Sequence, residues 1–206
     1  MESFQQTFKS ERKVRRELVP GSVDVSPIKN YGAVETGIIV FMLSVTTKIL
    51  NLRKVIVAML IQFCKYNDWA NSLLLDALKA NRYLLPESCI TLFSHIVNAQ
   101  KIWVSRINGV TTNIAVWQVN DLETCSLLLE ESANALSKIE YLEAKEAPII
   151  KYTTSIGDNY EMSIYDILLH VFNHGTYHRA QIAKEMKLHN IKPVNTDYIQ
   201  FVRLQS

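Results

Sequence analysis

Three histidines recur at four-residue intervals near the C-terminus, at positions His170, His174 and His178. On an α-helix, residues four apart share one face, with Cβ atoms roughly 5–6 Å apart. Apolar and polar residues alternate around them with a helical period, so the pattern predicts a long helix with the three imidazoles on one stripe. Two imidazoles at this spacing can bind a single transition-metal ion.

A stripe of this length cannot hold one ion with all three histidines. His170 and His178 stand roughly 12 Å apart along the helix axis, whereas metal–nitrogen bonds are about 2.0–2.1 Å long. A third ligand must therefore come from another helix. Of the five histidines in the chain, the remaining two are His95, inside a strongly helical segment, and His189, where the stripe's own helix ends. His95 is the better candidate.

Helical periodicity predicts four long helices with modest connections, which favours an all-α fold, an antiparallel four-helix bundle. A small β-hairpin-like connection around Gly157-Asp158-Asn159 precedes the last long helix. A short terminal helix is expected to start at Thr196-Asp197. The predicted bounds of the long helices are about Met59–Asn81, Pro86–Gly109, Asp121–Lys145 and Ser163–Leu188.

Helix starts are marked by capping residues. Asn120 followed by Glu123 predicts a capping box at the third helix, and Ser163 followed by Asp166 predicts a cap at the fourth. The chain has only six glycines and no glycine-rich phosphate loop, which argues against a nucleotide-binding architecture.

The N-terminal quarter differs in composition from the rest of the chain. Residues 1–36 lack sustained periodicity and are predicted to be poorly ordered. An apolar run of about eleven residues follows and Lys48 closes it, whereas a membrane-spanning helix needs roughly twenty. We expect an N-terminal extension, 1–58, and a metal-binding bundle domain, 59–206. The extension is either sequence upstream of a natural start at Met59 or Met42, or a genuine accessory arm.

Charge and cysteine usage exclude other classes. The chain has 22 Lys and Arg against 20 Asp and Glu, and the excess of positive charge lies in residues 1–58. The pattern therefore predicts no nucleic-acid partner, which would need clustered basic residues. Cys64, Cys89 and Cys125 are odd in number and far apart, which favours buried thiols and a cytoplasmic location.

Three sequence blocks carry a resemblance to a known family: KYNDWAN (65–71), HIVNAQKIWVSRINGV (95–110) and GDNYEMSIYDILLHVFNHGTYHRAQI (157–182). They resemble the DinB/YfiT-like superfamily of metal-binding four-helix bundles, the DinB family, over about Met59 to Phe201. The last block ends in NH-x-x-x-HR-x-Q and agrees almost residue by residue. Ala180 departs from it, because many members have glycine there, and this puts the packing near the site in doubt.

The resemblance implies that His95, His174 and His178 bind the metal, and that His170 lies one turn outside the site. Three imidazoles leave a coordination position open, whereas structural zinc sites are usually closed by four protein ligands. An ion held in this way lowers the pKa of bound water to about 7 or keeps a thiolate ionised. The predicted cofactor is one divalent transition metal ion, zinc, nickel or iron, among which the ligands do not choose.

The family is linked to metal-dependent hydrolases and to transferases that use low-molecular-weight thiols, which implies an enzyme acting on a small molecule or thiol. Homodimers are common among its members, so a homodimer is expected. One alternative is a non-enzymatic metal-binding bundle associated with damage or stress, and another is a bundle that now serves as an interaction module. We expect no membrane partner.

No catalytic residue is identified from the sequence. Ligating imidazoles usually donate their second N–H to an oxygen, and the candidates around the site are Arg179, Gln181 and Asp166, although a surface salt bridge is favoured for Arg179. Trp103 and Tyr177 are candidates for a substrate pocket. The other aromatic residues, Tyr66, Trp69 and Trp117, are expected to pack inside the bundle.

Overall fold

The computed structural model describes residues 31–138, 147–154 and 157–206. This part of the chain contains four long helices, a two-stranded antiparallel sheet between the third and the fourth of them, and a short last helix. The hairpin pairs Ile149 with Ser163 and Thr153 with Asn159, so it leads directly into the last long helix. In order, the elements are α1 (Tyr31–Ala80), α2 (Glu87–Ile107), α3 (Leu122–Ser137), β1 (Ile149–Thr153), β2 (Asn159–Ser163), α4 (Ile164–Leu188) and α5 (Tyr198–Arg203).

The predicted four-helix bundle with a hairpin before its last long helix is confirmed. One apolar core joins all four long helices and buries Leu78, Phe93, Cys125 and Ile182. A second core lies around the start of α4 and includes residues from α1, α2 and α3. Apolar burial stabilises such cores by roughly 25 cal/mol per Å². These two cores fix the faces of α2 and α4 that meet.

The N-terminal part of the chain belongs to a compact unit of its own. The chain divides into two such units, Met1–Thr46 and Thr47–Ser206. In the first unit, the side chains from Ile38 to Leu43 are exposed. No helix in the described part of the chain is long and apolar enough to cross a membrane. The expected division at residues 58 and 59 stays a prediction.

Helix starts and ends differ from the expected ones in three places. α1 begins at Tyr31, well before Met59. In the described part of the chain, α3 ends at Ser137. The predicted end at Lys145 falls in residues 139–146, which lie outside that part. The capping box at Asn120 is wrong: Asp121 caps α3 and accepts a hydrogen bond from the Thr124 amide at 2.6 Å.

The side chain of Asn120 has a different task. It is buried and donates to the Asn98 side chain at 2.7 Å, so it anchors the α2–α3 connection to α2. The same connection starts at a turn where Gly109 has a φ of +65° and the Val110 amide donates to the Ser105 carbonyl at 2.9 Å. This is the geometry of a glycine-ended helix. Both anchors hold residues 108–121 beside α2.

Candidate metal centre

Three histidine side chains from two helices converge at one point between α2 and α4. One ring nitrogen from each of His95, His174 and His178 lies within 4.8 Å of the others. His95 Nε2 and His174 Nε2 are 3.0 Å apart. Two nitrogens bound to one ion at about 2.0–2.1 Å stand at a comparable separation, so the cluster fits the size of a single transition-metal ion.

Hydrogen bonds to oxygen atoms fix the protonated nitrogen in two of the rings, His95 and His178. His95 Nδ1 lies 3.1 Å from the Val116 carbonyl oxygen, and a carbonyl only accepts, so Nδ1 carries the proton. His178 Nδ1 likewise donates to Gln181 Oε1 at 2.6 Å. In both rings the lone pair is therefore on Nε2. An oxygen acceptor behind an imidazole is the usual arrangement at metal sites, where it orients the ring and raises its basicity.

The electrostatic environment favours the neutral form of two of these imidazoles. Desolvation lowers the pKa of His174 to about 4, with smaller contributions from His178, His95 and His170. Desolvation also lowers the pKa of His95, against the opposing effect of the hydrogen bond to Val116. Since only a neutral imidazole can bind a metal, the lowered pKa values of His174 and His95 favour metal binding by these two rings.

Donor chemistry agrees with this geometry. Within the described residues, no other histidine, cysteine or carboxylate joins the three histidines. An all-imidazole set suits divalent zinc, nickel, copper or iron. A site with three protein ligands also leaves a coordination position for water or a substrate.

The remaining histidines lie outside the cluster. The ring of His170 packs edge-to-face against Trp103 at 5.3 Å and is 5.5 Å from the ring of His174. His189 follows the last turn of α4, where its ring bonds to the Glu185 carbonyl. The grouping is therefore the one that the resemblance implied, and its role in metal binding stays a prediction.

Trp117 is one of the residues whose environment differs from the one expected from the sequence. It was expected to pack inside the bundle, but it lies in the α2–α3 connection and is 59% exposed. Its ring stacks flat on the His95 ring, with centroids 3.7 Å apart and planes 3° from parallel. The expectation is wrong because Trp117 is outside any helix, where helical spacing carries no information. Trp117 thus forms an exposed wall of the histidine cluster.

Arg179 follows His178 in the chain but points into the bundle. It is only 3% exposed, so the surface salt bridge expected for it is wrong. Its guanidinium donates to Asn71 Oδ1 at 2.8 Å and to Thr176 Oγ1 at 2.9 Å, and more distantly to Asn67 and Tyr66.

These contacts belong to a set of side chains, all buried except Thr176, that we call the Arg179 network. Its other amide, Gln100, accepts from Asn67 at 2.8 Å and donates to Ser132 at 2.8 Å. The network therefore joins side chains from all four long helices. Its members are Tyr66, Asn67, Asn71, Gln100, Ser132, Thr176 and Arg179.

Gly175 makes the Arg179 network possible. A Cβ atom at this position would lie 2.8 Å from Arg179 Nη1 and 2.9 Å from Asn67 Oδ1. Both distances are shorter than real Cβ contacts, so a side chain at this position would force the ends of the Arg179 and Asn67 side chains to shift. The glycine lies directly after His174, which ties the packing of the network to the position of a cluster histidine.

The other candidates lie at different distances from the cluster. Gln181 bonds to His178, whereas Asp166 is exposed in the first turn of α4. Tyr177 is 61% exposed, with its ring edge-to-face on His178 at 5.0 Å. Trp103 packs edge-to-face on Tyr152 at 5.0 Å.

A cleft of about 770 Å³ lies between the α2–α3 connection and the hairpin. Val116 and Trp117, which both contact His95, also line this cleft. Arg106 from α2 and Tyr152 from β1 also line it. The volume lies within the range of small-molecule sites.

Comparison with known proteins agrees with the fold and the cluster. The model of the DinB family matches residues 52–205, which include every element that contributes to the cluster and the cleft. Comparison with curated proteins finds no match. The chain therefore belongs to the DinB family.

Proposed function

We propose that this protein is a metal-dependent enzyme, a hydrolase or a transferase of low-molecular-weight thiols, whose ion is held by His95, His174 and His178. One observation carries the proposal: three ring nitrogens lie within 4.8 Å of one another, and two of the rings have their other nitrogen bonded to an oxygen. Three ring nitrogens that converge on one point are the arrangement that a single metal ion requires.

Each residue around the cluster has a separate task. The Val116 carbonyl and Gln181 hold two rings in the tautomer that leaves Nε2 free. Trp117 covers one face of His95 and limits the access of water from that side. A divalent ion held there supplies Lewis-acid chemistry, because it polarises an oxygen or sulfur atom and favours its deprotonated form. Val116 and Trp117 connect the site with the cleft, because both contact His95 and line the cleft.

Metal analysis of protein purified without an affinity tag tests the first half of the proposal. We expect one equivalent of a divalent transition metal per chain, with zinc, nickel and iron as the candidates. Protein that retains no metal and binds none when it is added would contradict it. A screen of hydrolase and thiol-transfer substrates would then identify the reaction.

Cobalt substitution separates an enzyme from a metal-braced bundle. An open coordination position should admit azide or a small thiol, and the visible spectrum of the cobalt protein should change on addition. The response should persist in Tyr177→Phe, which removes no ligand. A spectrum that stays the same at saturating ligand would favour the alternative, a non-enzymatic metal-binding protein associated with damage or stress.

The expected homodimer is supported only by the family resemblance. The exposed apolar side chains of α1 are compatible with helix-to-helix association. Light scattering at micromolar concentration checks this, and a monomer mass would reject the dimer.

A further inference from the structure

Arg106 packs against two aromatic rings in the cleft. Its guanidinium carbon lies 4.5 Å from the centroid of the Trp103 ring and 4.6 Å from that of the Tyr152 ring. The faces of aromatic rings attract and position a cation at such distances. The N–H groups point outward in the plane of the group, where they match the two oxygens of a carboxylate.

This cation has no anionic partner in the described part of the chain. The ion pairs there are Lys101 with Glu131 and Lys151 with Glu161, and neither includes Arg106. Desolvation lowers the pKa of Arg106, while Tyr152 opposes this effect. The charge is therefore partly withdrawn from water without a counter-ion among the described residues, a situation that an incoming anion would relieve.

The rest of the cleft defines what else the ligand needs. Ile102, Ile114, Val116 and Trp117 supply an apolar lining, with Trp117 more than half exposed. Lys151 also lines the cleft, but its ammonium group is already paired with Glu161 at 2.7 Å. Arg106 is thus the available positive charge at the end of an apolar surface.

The cleft and the histidine cluster lie along the same face of α2. Arg106 follows His95 by eleven residues, which is about three helical turns, or roughly 16 Å along the axis. Val116 and Trp117 contact His95 and line the cleft. A molecule bound in the cleft would therefore extend from Arg106 towards the cluster.

We propose that this cleft binds an elongated, carboxylate-bearing small molecule, with Arg106 holding the carboxylate and Trp117 packing against its apolar body. The placement of the molecule's other end at the metal rests on the function proposed above. Recognition of the carboxylate by Arg106 does not depend on it. The substrate class would then be an organic acid with its reactive group at the end opposite the carboxylate.

The test compares 4-phenylbutyrate with 4-phenylbutyramide, which share an apolar body and differ in charge. Binding to the metal-free full chain is measured by calorimetry and by the NMR signals of the tryptophan indole N–H groups. Metal-free protein is used because a carboxylate could otherwise bind the ion. We expect the acid to bind about tenfold tighter than the amide, with the Trp117 signal shifted by both. Equal affinities, or no saturable binding, would overturn the proposal.

Arg106→Gln should abolish the preference for the acid and leave the affinity of the amide unchanged. Arg82→Gln is the matched control, because Arg82 also lies over a tyrosine ring, 4.8 Å from the centroid of Tyr83, but does not line the cleft. If Arg106→Gln does not fold, Arg106→Lys keeps the charge without the planar fork and should lower the preference. A preference that survives in the folded Arg106 variants would refute the assignment.

Metal binding is measured on the same preparations, in separate samples. Wild-type protein that binds metal but shows no preference for the acid over the amide would refute this inference alone. Wild-type protein that shows the preference but cannot bind metal would instead refute the proposed enzyme function alone.

Discussion

His178 and Arg179 are neighbours in the chain, yet they belong to two polar regions that accommodate their polar side chains in different ways. The histidine cluster consists of imidazole rings beside an open cleft. The Arg179 network encloses a charged group among neutral amides and hydroxyls. One turn of α4 therefore contributes both to the proposed metal site and to an internal brace.

The difference shows how a bundle can contain buried polar groups for two purposes. Arg179 is buried without a carboxylate, and its Nε has no hydrogen-bond partner among the described residues. This is sustainable because both terminal nitrogens donate to oxygens from α1 and α4. In the histidine cluster, by contrast, ring nitrogens converge on one point, where a ligand could bind them. The brace serves stability, whereas the cluster is proposed to serve metal binding.

The largest expected effect is on metal binding. His95→Ala, His174→Ala and His178→Ala should each abolish tight stoichiometric binding, because two imidazoles cannot hold an ion as three do. His170→Ala and His189→Ala are the controls and should retain it. Metal content and binding isotherms check the result, and full metal occupancy after His95→Ala would contradict the three-ligand assignment.

Arg179→Ala should break the other region without affecting the first. It leaves the Asn67 and Asn71 oxygens without their donor and opens a cavity, so the free energy of unfolding should fall by roughly 2–4 kcal/mol. Arg82→Ala, at an exposed position, should change it by less than about 0.5 kcal/mol. Denaturant titration measures both, and equal effects would show that the network contributes little. Metal binding per folded molecule should persist.

Gln181→Ala should weaken the cluster without removing a ligand. Loss of the acceptor behind His178 Nδ1 should lower metal affinity roughly 10–100-fold. Tyr177→Phe is the control, since it preserves the ring beside His178. Competition with a chelator of known affinity measures the change, and unaltered affinity would mean that Gln181 does not orient the ring.

Gly175→Ala tests the close approach of α4 to α1. The added methyl would lie too near Arg179 and Asn67, and we expect a loss of about 1–2 kcal/mol despite the better helix propensity of alanine. In a protein that already carries Arg179→Ala, Gly175→Ala should lower the free energy of unfolding by much less. A double-mutant cycle measures the coupling, and additive effects would contradict the role assigned to this glycine.

Lowering the pH should reduce the free energy of unfolding through His174 in the histidine cluster, but not through Arg179. The pKa of His174 is lowered in the folded state to about 4, so the unfolded state binds the proton first. The stability of the metal-free protein should therefore be unaffected by His174 above about pH 6.5 and should fall between there and about pH 4. His174→Gln should flatten this slope, whereas Arg179 does not titrate in the range. An identical slope in the variant would assign the effect elsewhere.

Whether a feature could be predicted from the sequence depends on how far apart its interacting residues lie along the chain. The spacing of His174 and His178 and the helical setting of His95 were readable, because they depend on local periodicity. The burial of Arg179 was not, since its partners Asn67 and Asn71 lie on another helix, more than a hundred positions earlier. The same holds for Gly175, whose role depends on how closely two helices approach.

The residues of the α2–α3 connection were missed for a different reason. The acceptor that orients His95 is a main-chain oxygen, so no residue type at position 116 signals it. Trp117 was visible as an aromatic residue, but its contact with His95 depends on the path of an irregular segment. Sequence patterns are informative for helices and much less so for such connections.

The hydrogen bond from His95 to the Val116 carbonyl has a consequence for engineering. Every amino acid has this carbonyl, so substitution at position 116 leaves the acceptor in place, and alanine scanning would score it as dispensable. The length of the connection is the sensitive variable instead. Inserting or deleting one residue between Gly109 and Asn120 should rotate His95 out of alignment although every ligand is still present.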